Sequence, residues 1–397
     1  MAIFQRFQAA LFLAGLFTLA LAGALTAGEA TPQAPLACED GDQASGARYR
    51  FCMPDLPWNG DLVVYAHGYV EPRRPVGFPE EQFSVGGVSI DQAVTAQGFA
   101  FAASSYRRNG LAVLEGVEDL VDAVELFKSK HGNPDRVILV GVSEGGLIAT
   151  LALEQRPDLF HGGLALCGPY GDFRRQVDTF ADFRVVFDYY FPGLLPASPI
   201  TIPQTLIDTW ETNYYSDTVR PVITATSSAI SITNLLSVTN APVDPNVPET
   251  TEQTIRQLLW YNVFSTNDGK QQLGGNPYDN SQRQYQGSTD DAALNAGVFR
   301  TTADVTATLA ISAYETDGRL TRPLIIMHTT GDPVVRYEQA TLYGQKVSAA
   351  DRDPLYEHRK FDRYGHCTFT PFELLDAFNT IVQRANQRAI HLPIVMR

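Results

Sequence analysis

Short apolar runs alternate with longer amphipathic stretches over much of the chain. Five runs have the length of buried strands: residues 61–68, 98–106, 136–141, 162–168 and 323–330. Runs that are apolar throughout are typical of parallel strands covered on both faces. Between them, apolar side chains recur at helical spacing, as in residues 113–127. The alternation predicts an α/β fold with a mostly parallel central sheet and helices on both faces.

One stretch, from about residue 171 to residue 300, interrupts the alternation. It lies between two predicted sheet strands, so we expect it to form a large, mainly helical lid over the carboxyl-terminal edge of the sheet. Residues 173–191 are rich in aromatic side chains. We interpret more than half of these as the core of the lid itself and expect the others to line an apolar substrate pocket. The pocket candidates are Phe183, Phe187, Tyr190 and Phe191.

The first 27 residues have the layout of a secretory signal peptide. One early cation, Arg6, precedes an apolar stretch from Ala9 to Leu21, and small-residue cleavage sites follow. A membrane anchor is the alternative, because apolar residues continue nearly to Ala27. Small residues dilute them, however, and no charged stop follows. The sequence therefore predicts a secreted or periplasmic mature protein with no stable membrane anchor.

Composition and charge limit the possible partners. The 397 residues are 44% hydrophobic and 19% charged, which is ordinary for a globular protein. The length allows one large domain with an insertion, or two domains. A formal net charge of −14 opposes binding to nucleic acid or to an anionic membrane. The predicted parts are a signal peptide (1–27), an α/β core in two pieces (28–170 and 301–397) and the lid (171–300).

The four cysteines are an even number in a chain predicted to be exported. Such a count in an oxidising compartment predicts two disulfides. Cys38 and Cys52 are close in sequence and suit a hairpin, which leaves Cys167 and Cys367 for a long-range bridge. The chain has no CxxC or HxxxH spacing, so no metal site is expected, and no cofactor is implied.

Residues 137–149, VILVGVSEGGLIA, join an apolar strand to a helix through a sharp turn. Gly141, Ser143 and Gly145 form a GxSxG pattern in the strand–turn–helix context of a nucleophile elbow. The glycines allow the tight turn, and the following helix places its positive N-terminal end beside the serine. This pattern predicts Ser143 as a catalytic nucleophile.

A serine nucleophile needs a base, and the base needs an orienting carboxylate. His366 lies in a loop after the predicted strand LYEHRKF and is the candidate base. Asp332 directly follows a buried strand and is the candidate acid, with Asp317 and Asp362 as alternatives that are not at strand ends. The chain order Ser143, Asp332, His366 is the order typical of folds with this elbow.

Two backbone N–H groups are the predicted donors to an oxyanion. One belongs to Glu144, next to the nucleophile, and the other to Tyr69, in the loop after the first buried strand. Gly68 permits the close approach of that loop. We interpret His67 as structural, His328 as packed within a strand, and the Glu144 side chain as a salt-bridge partner near the elbow.

The motifs AHGY, GVSEGG, HTTGDPVV and YGHC resemble those of the α/β-hydrolase superfamily over nearly the whole mature chain. The chain is similar to secreted bacterial serine hydrolases, to prolyl-oligopeptidase-type domains and to tannase- and feruloyl-esterase-like enzymes. The last group has a long lid between the same two strands and a cysteine directly after the catalytic histidine, as Cys367 follows His366. Its partner cysteine directly precedes the serine, where this chain has Val142. Feruloyl and tannin substrates are therefore not carried over, and Cys167 is the substitute partner.

Together these residues predict a secreted serine esterase acting on a small-molecule or polymeric ester. In this hypothesis Ser143 attacks the ester carbonyl, His366 transfers its proton to the leaving alcohol, and Asp332 holds the imidazole. Two alternatives stay open. One is a serine peptidase of the prolyl-oligopeptidase type on the same fold. The other is a non-catalytic binding protein, which should have lost part of the triad.

Overall fold

An eight-stranded sheet is the centre of the fold in the computed structural model, which describes residues 38–196 and 198–389. The predicted signal peptide, residues 1–27, lies outside the described residues. The strands are β1 (Cys38–Asp42), β2 (Arg48–Cys52), β3 (Asp61–Ala66), β4 (Ser84–Val85), β5 (Val88–Ser89), β6 (Ala100–Ser104), β7 (Arg136–Val142), β8 (Gly162–Leu166), β9 (Leu324–Gly331) and β10 (Tyr356–Tyr364). β4 and β5 pair with each other in a small separate sheet.

The large sheet is parallel except at one edge. Its strand order is β1-β2-β6-β3-β7-β8-β9-β10, with β1 and β2 antiparallel to their neighbours and the other six strands parallel. The carboxyl ends of the six parallel strands therefore meet at one edge. The loops that follow β3, β7 and β9 are gathered there, and β7 lies near the middle.

Helices cover both faces of the sheet, as the alternation of residues along β3 requires. Leu62 and Val64 pack in one core cluster with helices that follow β6 and β7, whereas Val63 and Tyr65 pack in another with the first and last helices. Successive side chains of a strand point to opposite faces, so a strand buried on both sides is apolar throughout. The prediction of an α/β fold with a mostly parallel sheet and helices on both faces is confirmed.

The helices follow one another as the alternating sequence pattern indicates, apart from the long insertion. They are α1 (Ile90–Thr95), α2 (Val113–His131), α3 (Glu144–Gln155), α4 (Phe173–Tyr190), α5 (Gln204–Thr209), α6 (Arg220–Ile223), α7 (Ala229–Val238), α8 (Glu249–Leu273), α9 (Asp291–Gly297), α10 (Val305–Ala310), α11 (Glu338–Ala349) and α12 (Pro371–Ala389). A π-helical segment, Trp210–Val219, joins α5 to α6.

The segment predicted as the lid contains α4 to α9 and has a hydrophobic cluster of its own. This cluster, the lid core, runs from Ala181 to Val298 and includes Trp210, Leu258 and Val263. Within the described part of the chain, no single helix is long and apolar enough to span a membrane. One bent pair of helical segments, Gln204–Ile223 and Thr226–Val238, meets the requirement by length and composition only.

Both predicted disulfides are present. Cys38 and Cys52 are register partners on β1 and β2, with their Cα atoms 4.1 Å apart. Cys167 and Cys367 have Cα atoms 5.5 Å apart and lie 200 residues apart in the sequence. Two disulfides fit a protein that folds in an oxidising compartment.

Candidate active site

Ser143 lies on a sharp turn whose close backbone contacts require glycine at positions 141 and 145. Its backbone has a φ of 58° and a ψ of −124°, a region where a non-glycine residue costs about 1–3 kcal/mol. A β-carbon at Gly141 would collide with the carbonyl of Gly145, and one at Gly145 with the carbonyls of Ala66 and His67. The glycines therefore let β3, β7 and the start of α3 approach one another closely enough to hold the serine at the sheet edge.

The structure brings Ser143, His366 and Asp332 into one hydrogen-bonded chain. Ser143 Oγ lies 2.9 Å from His366 Nε2, and His366 Nδ1 lies 2.7 Å from Asp332 Oδ2. The other carboxylate oxygen, Oδ1, accepts the N–H groups of Val334 and Val335, each at 2.9 Å. Asp332 is 1% exposed. This arrangement can hold the imidazole in the tautomer that accepts a proton from the serine.

The other candidate acids lie elsewhere. Among the described residues, no hydrogen bond or ion pair joins Asp317 to His366. The Asp317 N–H donates to Glu154. Asp362 lies on β10 and pairs with Lys360 at 3.0 Å. Of the candidate carboxylates, Asp332 is the one in contact with the imidazole.

His328 supports the loop that holds Asp332. It is fully buried on β9, and burial lowers its pKa. Its Nδ1 lies 2.8 Å from the hydroxyl of Tyr170, and its Nε2 lies 2.8 Å from the carbonyl oxygen of Val335. A neutral imidazole can accept from Tyr170 and donate to Val335. This contact fixes the turn whose N–H groups bind the Asp332 carboxylate.

The loop after β3 reaches the serine because Gly68 has no side chain. A β-carbon there would lie 3.0 Å from the β-carbon of Ser143. Gln82 holds the loop in place: its Oε1 accepts the Gly68 N–H at 2.7 Å and its Nε2 donates to the Tyr69 carbonyl at 3.0 Å. Among the described residues, none accepts the N–H of Tyr69. That N–H and the N–H of Glu144, at the start of α3, are the groups available to an oxyanion.

His67 is a buried neighbour of this loop. Its ring stacks on that of Tyr106, with the centroids 4.0 Å apart, and its Nδ1 lies 2.8 Å from the Gly68 carbonyl oxygen. Burial lowers the pKa of His67 to about 4, so the ring is neutral at neutral pH. These contacts give it a packing role.

The second disulfide ties the histidine loop to the sheet. Cys167 follows β8 and Cys367 follows His366, and both residues have a positive φ, 44° and 55° respectively. The bridge therefore links the loop that carries the His366 imidazole to β8, the neighbour of the strand that precedes Ser143. In the described residues, each cluster of potential metal ligands contains both cysteines of a disulfide, so these sulfurs are not thiolates that could bind a metal.

An apolar cavity opens on one side of Ser143. It lies between the sheet edge and the helices α4 and α8. Its apolar lining includes Leu111, Phe173, Val177, Phe180, Ala181, Ile200 and Leu273. The acidic and basic residues in the lining are Glu144, which directly follows Ser143, and Lys270. The Lys270 ammonium donates to the Ile200 carbonyl at 2.8 Å and to the Thr201 hydroxyl at 2.9 Å.

A more polar cleft opens on the other side of Ser143. Its lining includes Gly68, Glu81, Gln82, Ser84, His366 and Cys367. Ser143, Tyr69 and Tyr261 line both spaces. Tyr261, on α8, stacks on Phe180 with ring centroids 4.8 Å apart and planes 3° apart. Ser143 thus lies at the junction of an apolar cavity and a polar cleft, beside the aromatic pair of Phe180 and Tyr261.

The structure corrects the prediction of the pocket aromatics. The candidates Phe183 and Phe187 are fully buried in the lid core, Phe191 is 7% exposed there, and Tyr190 packs against the same cluster. None of the four lines the cavity. The reason is their position along α4: the cavity borders the first half of the helix, up to Ala181, whereas the candidates lie in its second half or just beyond it.

Two contributors to the site carry no sequence signal. Gln82 lies in a short 3-10 helix, Glu80–Phe83, after β3, and nothing in the surrounding sequence marks it as a contact of Gly68. Tyr261 is one of several aromatics on α8, and only the packing of that helix over the sheet brings it to Ser143. Phe180, one of the aromatics of residues 173–191, does line the cavity.

The elbow after a central parallel strand, together with the serine, histidine and aspartate at its edge, defines an α/β-hydrolase. Residues 111–369 match the family described as serine aminopeptidase, S33. The match covers more than half of the chain, so the chain belongs to this family of hydrolases. No curated protein matches the sequence.

Several solved structures are similar to the chain at low identity. The chain is 14% identical to an esterase of Pyrococcus furiosus, with a TM-score of 0.46, covering 88% of this chain and 91% of that one. It is 14% identical to Candida antarctica lipase A in its closed state, with a TM-score of 0.47, covering 88% and 77%. For the acylaminoacyl peptidase of Pyrococcus horikoshii the identity is 12% and the TM-score 0.46, covering 91% and 43%. The chain thus spans less than half the length of that peptidase.

Proposed function

We propose that the protein is an exported serine esterase that hydrolyses esters of apolar acyl groups. The observation that carries the proposal is the hydrogen-bonded chain from Ser143 through His366 to Asp332 at the mouth of an apolar cavity. An apolar cavity beside a nucleophile favours an acyl group without charges, because burying apolar surface is favourable and burying a charge is costly.

Each residue has one role in the proposed reaction. Ser143 Oγ bonds to the ester carbonyl carbon while His366 Nε2 takes the hydroxyl proton. The carbonyl oxygen gains negative charge and accepts the N–H groups of Tyr69 and Glu144. His366 then gives the proton to the alkoxide, the C–O bond breaks, and the alcohol leaves. Water repeats the sequence on the acyl-enzyme and releases the acid.

The two cavities set the orientation of the ester. His366 must protonate the leaving alcohol, and it lines the polar cleft. The acyl group then lies on the opposite side of Ser143, in the apolar cavity between α4 and α8. This orientation predicts tolerance of polar alcohols and a preference for apolar acids.

An aminopeptidase is the second candidate function. Glu144 lines the cavity next to Ser143, and its carboxyl could pair with the free amine of an aminoacyl group. The family description names an aminopeptidase.

Two substrates that differ only in that amine distinguish the esterase from the aminopeptidase. Leucine p-nitrophenyl ester and 4-methylpentanoic acid p-nitrophenyl ester share their leaving group and carbon skeleton. We expect kcat/KM to be higher for the 4-methylpentanoate by about 10-fold or more, since the cavity would have to desolvate an ammonium group. A preference for the leucine ester, together with hydrolysis of leucine p-nitroanilide, would instead favour the aminopeptidase. Ser143→Ala is the control, and turnover that survives this change would refute both.

Export is a separate part of the proposal. It is supported by the signal-peptide layout of residues 1–27 and by the two disulfides. Expression of the full chain in a bacterial host, followed by fractionation and N-terminal sequencing, tests it. We expect a shortened chain outside the cytoplasm. An intact N-terminus in the cytoplasmic fraction would refute it.

A further inference from the structure

Glu144 has an unusual position for an acid. It is the first residue of α3, directly after Ser143, and it lines the apolar cavity while being only 8% exposed. Its Oε1 accepts the backbone N–H of Ala112 at 3.2 Å. The salt bridge expected for this side chain is not formed with any described residue. A buried acid without a cationic partner is therefore among the residues that line the cavity.

The charged groups around Glu144 do not supply the missing partner. Asp268 on α8 and Glu115 on α2 are both acidic. The nearby cation, Arg108, contacts Asp268 at 2.7 Å and Glu115 at 3.7 Å, so it already has two carboxylates. Lys270 lines the same cavity and donates to groups of the lid segment. The surroundings of Glu144 thus favour the uncharged carboxyl.

Four tyrosines also lie around this carboxyl, and all of them are neutral. They are Tyr69, Tyr106, Tyr261 and Tyr314. Burial raises the pKa of each, that of Tyr314 to about 12. Burial is also the largest cause acting on Glu144, whose pKa rises to about 8. At neutral pH most molecules therefore hold a protonated, uncharged Glu144.

We propose that Glu144 is a specificity-determining residue whose protonated carboxyl admits apolar acyl groups to the cavity and whose ionised carboxylate excludes them. The inference rests on the proposed function. Its physical basis is desolvation: a long acyl chain in the cavity removes water from the carboxyl, which costs little for the acid and much for the carboxylate. A short acyl group leaves that water in place and is less affected.

The direction of the pH dependence follows from this difference. Only the protonated form has high affinity for a long acyl chain, so the preference is present below a pKa of about 8 and is lost as the pH rises through it. At pH 9 only about one molecule in eleven is protonated for such a pKa. The preference for a long over a short acyl group should therefore fall about 10-fold between pH 7 and pH 9.

The test compares kcat/KM for p-nitrophenyl octanoate and p-nitrophenyl acetate from pH 6.5 to pH 9. Titrations of the catalytic groups affect both esters alike and cancel in the ratio. We expect the octanoate-to-acetate ratio of the wild type to fall about 10-fold, and that of Glu144→Gln, which cannot ionise, to stay constant. A constant wild-type ratio, or an equal fall in Glu144→Gln, would overturn the proposal.

Glu154→Gln is the matched control. Glu154 is on the same helix, and burial raises its pKa as well, but it binds the N–H groups of Asp317 and Gly318 and does not line the cavity. This variant should show the wild-type fall. A constant ratio in Glu154→Gln would assign the effect to helix α3 in general and overturn the proposal.

A binding measurement on the wild type keeps the test independent of variant folding. Calorimetry with 1-octanol at pH 8.5, in two buffers with different ionisation enthalpies, reports the protons taken up on binding. We expect net uptake, because the bound chain returns Glu144 to its protonated form. Binding without uptake, or no binding at pH 6.5, would overturn the proposal. Absence of ester turnover with octanol binding intact would instead refute the proposed function alone.

Discussion

Substitution of Gly68 by alanine tests the proposed oxyanion site, because it adds a single methyl group to the loop that carries the Tyr69 N–H. A β-carbon there would press on Ser143 and on the Gln82 side chain that holds the loop, at 3.0 and 3.1 Å. Gly68→Ala should therefore displace the Tyr69 N–H and lower kcat by about 100-fold, the typical cost of losing one oxyanion donor. Steady-state kinetics with an acyl ester measures the effect.

Gly77→Ala is the control for this change. Gly77 lies in the same loop after β3 as Gly68, and a β-carbon there would meet nothing within 4 Å. We expect it to retain wild-type kcat and melting temperature. If Gly68→Ala also kept full activity, the loop after β3 would not contribute to the reaction.

At the residue scale, the sequence predicts the groups whose chemistry depends on local pattern. Ser143 follows from the glycines around it, and Asp332 from its place after a buried strand. The structure brings both to His366, and their catalytic roles stay a prediction. Gln82 and Tyr261 could not be predicted, because their contacts depend on how a short 3-10 helix and helix α8 pack against the sheet edge.

The two disulfides close loops of very different length, so the stability lost with each can be compared. In the chain-entropy model, loss of the Cys167–Cys367 bridge, which spans 200 residues, costs about 5 kcal/mol. Loss of the Cys38–Cys52 bridge, with a separation of 14 residues, costs about 3 kcal/mol. Urea unfolding of the two double serine variants measures both losses.

Only the Cys167–Cys367 bridge should affect turnover. It ties the His366 loop to β8, whereas Cys38 and Cys52 join β1 to β2 at the edge of the sheet. We expect the Cys167→Ser/Cys367→Ser variant to lose activity under conditions where it is still folded, and the other variant to keep it. Equal activity in both would mean that the histidine loop does not need the bridge.

Alanine substitutions in the first and second halves of helix α4 should have different effects on stability and on acyl-chain preference. Phe180 lines the cavity and stacks on Tyr261, whereas Phe183 is fully buried in the lid core. Phe183→Ala should lower the free energy of unfolding by about 3–5 kcal/mol with unchanged acyl-chain preference. Phe180→Ala should mainly raise KM for octanoate over acetate. Thermal melts and kinetics on both esters check this, and a reversed pattern would contradict the placement of the cavity.

At the element scale, the strands buried on both faces were predictable, since they read as continuous apolar runs. The insertion of residues 171–300 was predictable only as an interruption of that pattern. Its helices pack on a separate core, and which of their aromatics face the cavity depends on where α4 leaves the sheet edge. For this reason the sequence wrongly predicts Phe183 and Phe187 in the pocket, whereas the structure places them in the lid core.

The whole molecule buries several acids, which makes its stability dependent on pH. Glu144 is the strongest case with a pKa of about 8, against 4.5 in the unfolded chain. Because the folded-state pKa is the higher one, this residue's contribution is fully present below about pH 4.5 and is lost as the pH rises to about 8. The loss amounts to about 1.4 kcal/mol per pH unit in that window.

Glu144→Gln should remove this loss. We expect its melting temperature to equal that of the wild type near pH 4.5 and to exceed it increasingly up to pH 8. Glu118→Gln, at a side chain that is 67% exposed, should show no such trend. A wild type and a Glu144→Gln variant that melt in parallel over this range would mean that Glu144 is not buried as described.

The central claim is that Ser143 is the nucleophile of a hydrolytic reaction. Its most direct test is mass spectrometry of the protein after reaction with an alkyl fluorophosphonate, with the modified peptide sequenced. The account predicts one phosphonyl group per chain, on Ser143, formed by the wild type and abolished in folded His366→Ala and Ser143→Ala variants. Modification of a different residue, or an unmodified wild type that is fully folded, would contradict it.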